Sequence, residues 1–227
     1  RLDMKRAAFT MVELTMVIVI IGILAALALP RMERDIRQEA GDNILSAIRH
    51  AQHMALMDNV TDPRYDNWQR SFWRFGFQKC SDNGYFYTIS SDKNREGNID
   101  SGEEAVDPLN GLKFNGSNTS ECTKSVQDGS SPNIFITKKY GIPFVTSSGD
   151  SGVTFNNCGA STAKYIGFDH MGRPHRGFTA SSTPDYATLV HADCTITFKF
   201  EDSSIEDLVI TVEKQTGHAF INGQSDS

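Results

Sequence analysis

Apolar positions fall into three regimes along the chain. From Phe9 to Leu29 they are nearly continuous, FTMVELTMVIVIIGILAALAL, a run of 21 residues. As a helix it reaches about 31 Å, the thickness of a bilayer's hydrocarbon core. After Pro30 they recur every three or four residues, at Ile36, Ala40, Ile44, Ile48, Ala51 and Ala55, with Arg34, Arg37, Asp42 and Arg49 between them. That spacing predicts an amphipathic helix to about Asp58, continuous with the apolar run. Pro30 removes a backbone donor and is expected to kink this helix, and Gly22 weakens it earlier. Beyond residue 58 the pattern changes to short β-branched or aromatic runs at 72–78, 85–89, 134–137, 165–168, 194–200 and 208–212, divided by Gly, Asn, Asp, Ser and Pro clusters. These predict a mostly antiparallel sheet, with 110–133 and 145–163 as surface loops. The expected class is α+β: a long N-terminal helix, membrane-spanning and then amphipathic, packed on a β-rich domain.

Charge adds direction. The 227 residues hold 22 Lys+Arg against 28 Asp+Glu, a net −6. Residues 1–38 carry six basic and four acidic groups, so they hold +2 and the remainder −8. Lys5 and Arg6 stand just before the apolar run, which predicts the N-terminus in the cytoplasm and the body on the other side of the membrane. The acidic balance argues against wholesale nucleic-acid binding and leaves room for a local basic patch. A cleavable secretory signal is the competing reading. Ala26-Leu27-Ala28 imitates a small-x-small site, but a helical pattern and not a loop follows it. Glu13 is the anomaly. A carboxylate inside a membrane segment costs roughly 2.5 kcal/mol or more and marks a functional position. No partner is evident within the span, so one is expected from a chain end or another molecule.

Lys5-Arg6-Ala7-Ala8, then Phe9-Thr10-Met11-Val12-Glu13-Leu14, then Gly22-Ile23-Leu24-Ala25-Ala26 and Pro30, resemble the N-terminus of type IV pilins and type II secretion pseudopilins. The resemblance implies a leader at 1–8, a helix at 9–58 and an exported domain at 59–227. It implies that a prepilin peptidase cuts between Ala8 and Phe9, where the family usually has Gly before the cut, and that the new N-terminus is methylated. Glu13 then pairs with the Phe9 amine of a neighbouring subunit, while Gly22 and Pro30 shape the assembling helix. Met4 is the expected start, with Arg1–Asp3 an extension. Ala51-Gln52, Asn59-Val60, Ile166-Gly167-Phe168-Asp169 with Gly172-Arg173-Pro174, and Ile210-Thr211-Val212 with Gly217-His218-Ala219 resemble the H-type minor pseudopilin and FimT-like minor pilin class. The implied function is a structural subunit of a secretion pseudopilus or pilus-like filament, working with other subunits, an inner-membrane assembly platform and lipid. The alternative is a DNA-binding minor pilin of an uptake machine.

Three features of the body carry candidate chemistry. Cys80, Cys122, Cys158 and Cys194 fit no zinc spacing. An oxidising compartment favours disulfides, and of the three connectivities the expected one is Cys80–Cys122 with Cys158–Cys194; free buried thiols are the alternative. Residues 92–103, DKNREGNIDSGE, fit the twelve-residue calcium loop. Asp92, Asn94, Glu96, Asp100 and Glu103 supply oxygens, the Asn98 carbonyl completes the shell, and Gly97 permits the turn. Glu96 is longer than the usual ligand at its position, and a strand-like run precedes the loop. The alternative is a solvated acidic loop; without an ion, its charge is expected to repel itself and keep it mobile. Finally Lys164, Arg173 and Arg176, with His170 and His175, make a basic cluster suited to phosphate contacts. Its alternative is a turn with solvated arginines, and the two histidines lack a partner that would suggest a metal. No nucleophile elbow, phosphate-cradling loop or Ser/His/Asp spacing appears, so the chain is expected not to be an enzyme.

Overall fold

One helix, α1 (Met11–Met57), takes up both the apolar run and the amphipathic segment. The computed structural model describes the backbone of residues 10–158 and 164–224, and the side chains of the same residues apart from 26–35. The leader, Ala8 and Phe9 lie outside the described residues. The helix is assigned without a break through Pro30, whose side chain also lies outside that description. Among the described residues no helix is long and apolar enough to cross a membrane. Of the Phe9–Leu29 span read from the sequence, Phe9 and the side chains from residue 26 onward lie outside that description, and its membrane crossing is a proposal.

From Ile36 onward the helix does what its periodicity requires. Ala40, Ile44, Ile48, Ala51 and Ala55 are all buried, a stripe of small and branched side chains that lets a sheet approach closely. Gly41 marks the tightest approach, since a Cβ there would stand 2.8 Å from Ile221 Cδ1 and 3.3 Å from Leu208 Cδ1.

Two antiparallel four-stranded sheets pack against this stripe. In chain order the elements are β1 (Trp73–Lys79), β2 (Tyr85–Ser90), a short α2 (Ile136–Tyr140), β3 (Val153–Asn156), β4 (Tyr165–Phe168), β5 (Pro174–His175), β6 (Cys194–Phe198), β7 (Leu208–Val212) and β8 (Ala219–Ile221). The first sheet runs β2-β1-β4-β5 and the second β3-β6-β7-β8. Register follows side-chain alternation: Phe75 pairs with Ile89 on one side and Ile166 on the other, and Ile210 pairs with Ile196 and Ile221. All of these are buried, so a one-residue slip would turn the core side chains to solvent.

Two readings of the body are corrected. Residues 134–137 form no strand: Pro132–Ile134 is a 3₁₀ turn that leads into α2, with Pro132 at its start and Gly141 closing α2 at φ 70°. Proline at a helix start and glycine past its end outweigh a four-residue β-branched run. Within the loop expected at 145–163, Val153–Asn156 is an edge strand on β6. The 110–133 segment is irregular, as read.

The helix is fastened to turns and strands of both sheets through backbone carbonyls. Arg49 donates from Nε and Nη2 to the Ala219 carbonyl at 3.2 and 2.8 Å, and Gln52 Nε2 donates to the carbonyls of Gly172 and Thr216 at 3.0 and 2.8 Å. The two turns that meet Gln52 can do so because of glycine. Gly217 sits at φ 67°, and a Cβ on it would lie 2.1 Å from the Gly172 oxygen. No side chain fits there.

Candidate functional sites

The N-terminal site begins with a capping box. Thr10 is the N-cap of α1, its hydroxyl oxygen accepting the Glu13 N–H at 3.3 Å; the Glu13 carboxylate accepts the Thr10 N–H and hydroxyl, both at 2.8 Å. This corrects the expectation that Glu13 has no partner within its own segment. The Thr-x-x-Glu spacing at the head of an apolar run is the signal that reveals it. The box satisfies N–H groups that a helix start otherwise leaves open, and negative charge there favours the helix dipole. Beyond it every described side chain to Ala25 is exposed, including Val12, Leu14, Val17, Ile18 and Ile21. Gly22 meets nothing within 4 Å, so within one chain it serves no close contact.

The 92–103 loop is folded on its own carboxylates. Asp92 is 0% exposed and Glu103 6%. Asp92 accepts the N–H groups of Glu96 and Gly97 at 3.2 and 2.8 Å, and Glu103 accepts those of Asn94 and Asp100 at 3.0 and 2.8 Å. Gly97 takes φ 97°, which lets the chain turn back. The loop is anchored outside by the Ser71 hydroxyl on the Asp92 carbonyl, 2.7 Å, and by Arg70 Nη1 on the Arg95 carbonyl, 3.0 Å. The expected self-repulsion is thus offset by backbone donors in this structure.

As a calcium site the donor set is right and the closure incomplete. Each carboxylate oxygen of Asp92 and Glu103 retains acceptor capacity, the chemistry a hard cation needs. Among the described residues no three of the loop's carboxylates converge to within 4.8 Å of one another. Asp100 is held instead by the amides of Asn94 and Asn98, at 3.0 and 2.9 Å. Burial pushes Arg74 below its usual range, while Asp92 and Glu103 nearby favour its charged form. The Asp92, Asn94, Glu96, Asn98, Asp100 and Glu103 oxygens would have to draw inward around an ion.

The cysteines pair as Cys80–Cys122 and Cys158–Cys194, with Cα atoms 6.0 and 5.2 Å apart. The first ties the β1–β2 hairpin to the irregular 110–133 segment, and the second ties the end of β3 to β6. Closing loops of this length stabilises by about 4 kcal/mol each in the chain-entropy account. Asp82 sits beside the first bridge and accepts the N–H groups of Gly84, Cys122 and Thr123; these hydrogen bonds, with the Thr123 hydroxyl foremost, outweigh desolvation and hold its carboxyl at about 2.

The basic cluster is not a continuous patch. Lys164 turns inward, its ammonium 2.6 Å from Ser151 Oγ and 2.9 Å from the Val153 carbonyl, and burial pushes its pKa down. Arg173 is paired with Asp169, which is 3% exposed; Nη2 to Oδ2 is 2.7 Å. Asp169 also accepts the N–H groups of Met171 and Arg173, both at 2.9 Å, and its Oδ2 lies 3.3 Å from Nε2 of buried His175. The other ring nitrogen of His175 is 2.9 Å from Thr188 Oγ1. Of the three cations only Arg176 is exposed as a whole residue, with a long contact to the Asn157 carbonyl at 3.5 Å. His170, also exposed, lies against Thr61 at 3.5 Å, and among the described residues it joins no group that could hold a metal.

Residues 3–29 match the family model for the prokaryotic N-terminal methylation motif. The chain carries a type IV pilin-like leader. The match covers the basic residues, Ala8, Phe9, Glu13, Gly22 and the apolar run, and ends one residue before Pro30. Neither the curated proteins nor the solved structures offer a match to the chain. The motif therefore describes the N-terminal segment, while the body is described by its own architecture.

Proposed function

We propose that this chain is a structural subunit of a type II secretion pseudopilus or type IV pilus-like filament, anchored by Phe9–Leu29 in the inner membrane until the helix is drawn into the assembly. The observation that carries this reading is the methylation motif at 3–29 continuing into a helix whose side chains from Met11 to Ala25 are exposed, largely apolar and headed by Glu13. Prepilin peptidase, an assembly platform and lipid are the partners this implies, and the role is architectural, not catalytic. The H-type minor subclass is the finer form of the proposal, supported by Gln52 meeting Gly172 and the turn before Gly217. The DNA-uptake reading draws less support, since Lys164 and Arg173 are engaged internally. Calcium at 92–103 is a further part of the proposal, supported by the sequence pattern and the two buried carboxylates.

The experiment is imaging and mass spectrometry of filaments released by shearing. Low-abundance incorporation supports a minor subunit, high abundance a major one, and absence from every filament fraction overturns the reading.

A further inference from the structure

A polar cleft of about 640 Å³ opens where the segment after α1 meets the start of the 92–103 loop. Asp58, Thr61, Asp62 and Arg64 line it from the first segment, Lys93 and Arg95 from the second. The carboxylates of this cleft are already engaged. Asp62 accepts Nε and Nη2 of Arg64 at 2.9 and 2.7 Å, and Asp58 accepts the Trp73 indole N–H at 3.1 Å. Among the described residues no carboxylate pairs with Lys93 or Arg95. Arg95 is held against its own preference. Its φ is 62°, the left-handed region that side chains other than glycine rarely adopt. Asn67 Nδ2 and Arg70 Nη1 grip its carbonyl at 3.3 and 3.0 Å. The guanidinium lies 3.9 Å from the centroid of the Tyr65 ring, and its Nη1 donates to the Lys93 carbonyl at 3.1 Å. The Nε and Nη2 edge meets no acceptor among the described residues. A strained residue fixed by its surroundings, with one hydrogen-bonding edge open to a cleft, is the form of a ligand site.

We propose that this cleft binds a carboxylate of a partner polypeptide, received by the Nε and Nη2 edge of Arg95, with Lys93 supplying a second positive charge. A planar guanidinium matches the two oxygens of a carboxylate in a way a point charge does not. The Tyr65 ring and the Lys93 carbonyl have already ordered it, so little side-chain freedom remains to be lost on binding. A nucleic-acid strand fits less well. Duplex DNA carries a charge about every 1.7 Å of its axis, whereas exposed Asp66, Glu96 and Asp100 stand on the same two segments as the cations. They repel the phosphates on either side of any one that binds. One isolated anion is what this charge pattern admits. The cleft follows Asp58, the C-cap of α1, about 70 Å along the helix from Met11 at 1.5 Å per residue. On the filament reading this end faces away from the membrane, which makes the partner an exported polypeptide and not a lipid headgroup. The binding chemistry itself does not depend on that reading.

Calorimetric titration of the detergent-solubilised full chain tests this, with chelator present so that no metal ion bridges the groups. The probes are a short peptide with one glutamate and both ends blocked, the same peptide with glutamine for glutamate, and the glutamine peptide with a free C-terminus. Binding of the first identifies an acidic side chain as the ligand and binding of the third a chain end, while the second should not bind. Arg95→Asn is the decisive variant, because asparagine tolerates the left-handed backbone. It should melt at or above wild type, yet lose about tenfold or more in affinity, the effect of a charge-assisted hydrogen bond. Lys93→Gln, at an exposed side chain, should melt like wild type and lose about threefold; it carries the test if Arg95→Asn does not fold. Unchanged affinity in the variants, or no binding of either carboxylate peptide at millimolar concentration, overturns the proposal. An oligothymidylate that binds more tightly than the peptides and is lost in Arg95→Asn also overturns it and makes the cleft a phosphate site. None of these outcomes touches the filament reading, which the sheared-filament experiment decides separately.

Discussion

Replacing Asp169 by Asn is the sharpest perturbation of the body. The carboxylate is 3% exposed and faces the Met171 and Arg173 N–H groups, the Arg173 guanidinium and His175 Nε2. An asparagine keeps one acceptor oxygen and turns an NH₂ group toward the remaining donors. His175 Nε2, on a buried ring, then loses its partner at about 1–3 kcal/mol, and Arg173, whose side chain is 40% exposed, loses an ion pair worth about 1 kcal/mol. For a chain of this size each kcal/mol moves Tm by about 2–4 °C, so the variant should melt about 5–10 °C below wild type at pH 7. Thermal melts of the detergent-solubilised full chain, followed by circular dichroism, measure it. The pH dependence supplies a second check. Desolvation alone would raise the Asp169 carboxyl, but the hydrogen bonds from His175 and Arg173 win and hold it far below the usual carboxylate range. Its contribution is therefore complete above the unfolded value, about 3.9, and is lost as pH falls below that. The gap between wild type and Asp169→Asn should narrow from pH 7 to pH 3. A Tm loss under about 2 °C, or a gap that does not change with pH, would refute the reasoning.

Three further outcomes are expected. Calcium should stabilise the body through 92–103: with a Kd of about 0.1–1 mM, typical of extracellular loops, a tenfold excess adds about 1.4 kcal/mol, and melts should rise by about 3–6 °C with calcium, not with magnesium, and not in Glu103→Gln. Gly217→Ala should cost at least about 2 kcal/mol, from the left-handed backbone alone about 1–2 kcal/mol and from displacement of the Gly172 turn on Gln52; an unchanged urea midpoint would contradict it. N-terminal sequencing of the assembled form should find Phe9 first, and a chain that still begins at Met4 or Lys5 would contradict processing at Ala8–Phe9.

How much of this was legible depended on the range of the forces involved. The helix was readable because Ile36 to Ala55 repeat at a helical period and one buried face imposes that repeat. The disulfides were readable because sequence-adjacent loops close most simply on themselves. The Thr10–Glu13 box was legible too, as a Thr-x-x-Glu at a helix start, and Thr10 supplies the hydrogen-bonding partner that Glu13 was expected to lack within the span. What sequence could not supply was the geometry of turns and strand pairing. Arg173 is spent on Asp169, four residues earlier, because the β4–β5 turn folds one onto the other, and Lys164 reaches Ser151 and the Val153 carbonyl only where the chain entering β4 meets β3 and the segment before it. A cluster of cations in sequence became separate internal contacts. Residues 134–137 failed for a different reason: a short β-branched run cannot be told from a helical turn by period alone, and Pro132 and Gly141 decided it.

The central claim, assembly through the N-terminal helix with Glu13 paired to a neighbour, is tested most directly by Glu13→Gln. Glutamine retains the acceptor that closes the Thr10 capping box and removes only the charge. Loss of a charge favours membrane insertion, so the variant should reach the membrane at wild-type level. Quantitative mass spectrometry of membranes and of filaments released by shearing should find wild type in both fractions and Glu13→Gln in membranes alone. Equal amounts of Glu13→Gln and wild type in the filament fraction would contradict the pairing, and wild type confined to membranes would contradict the assembly itself.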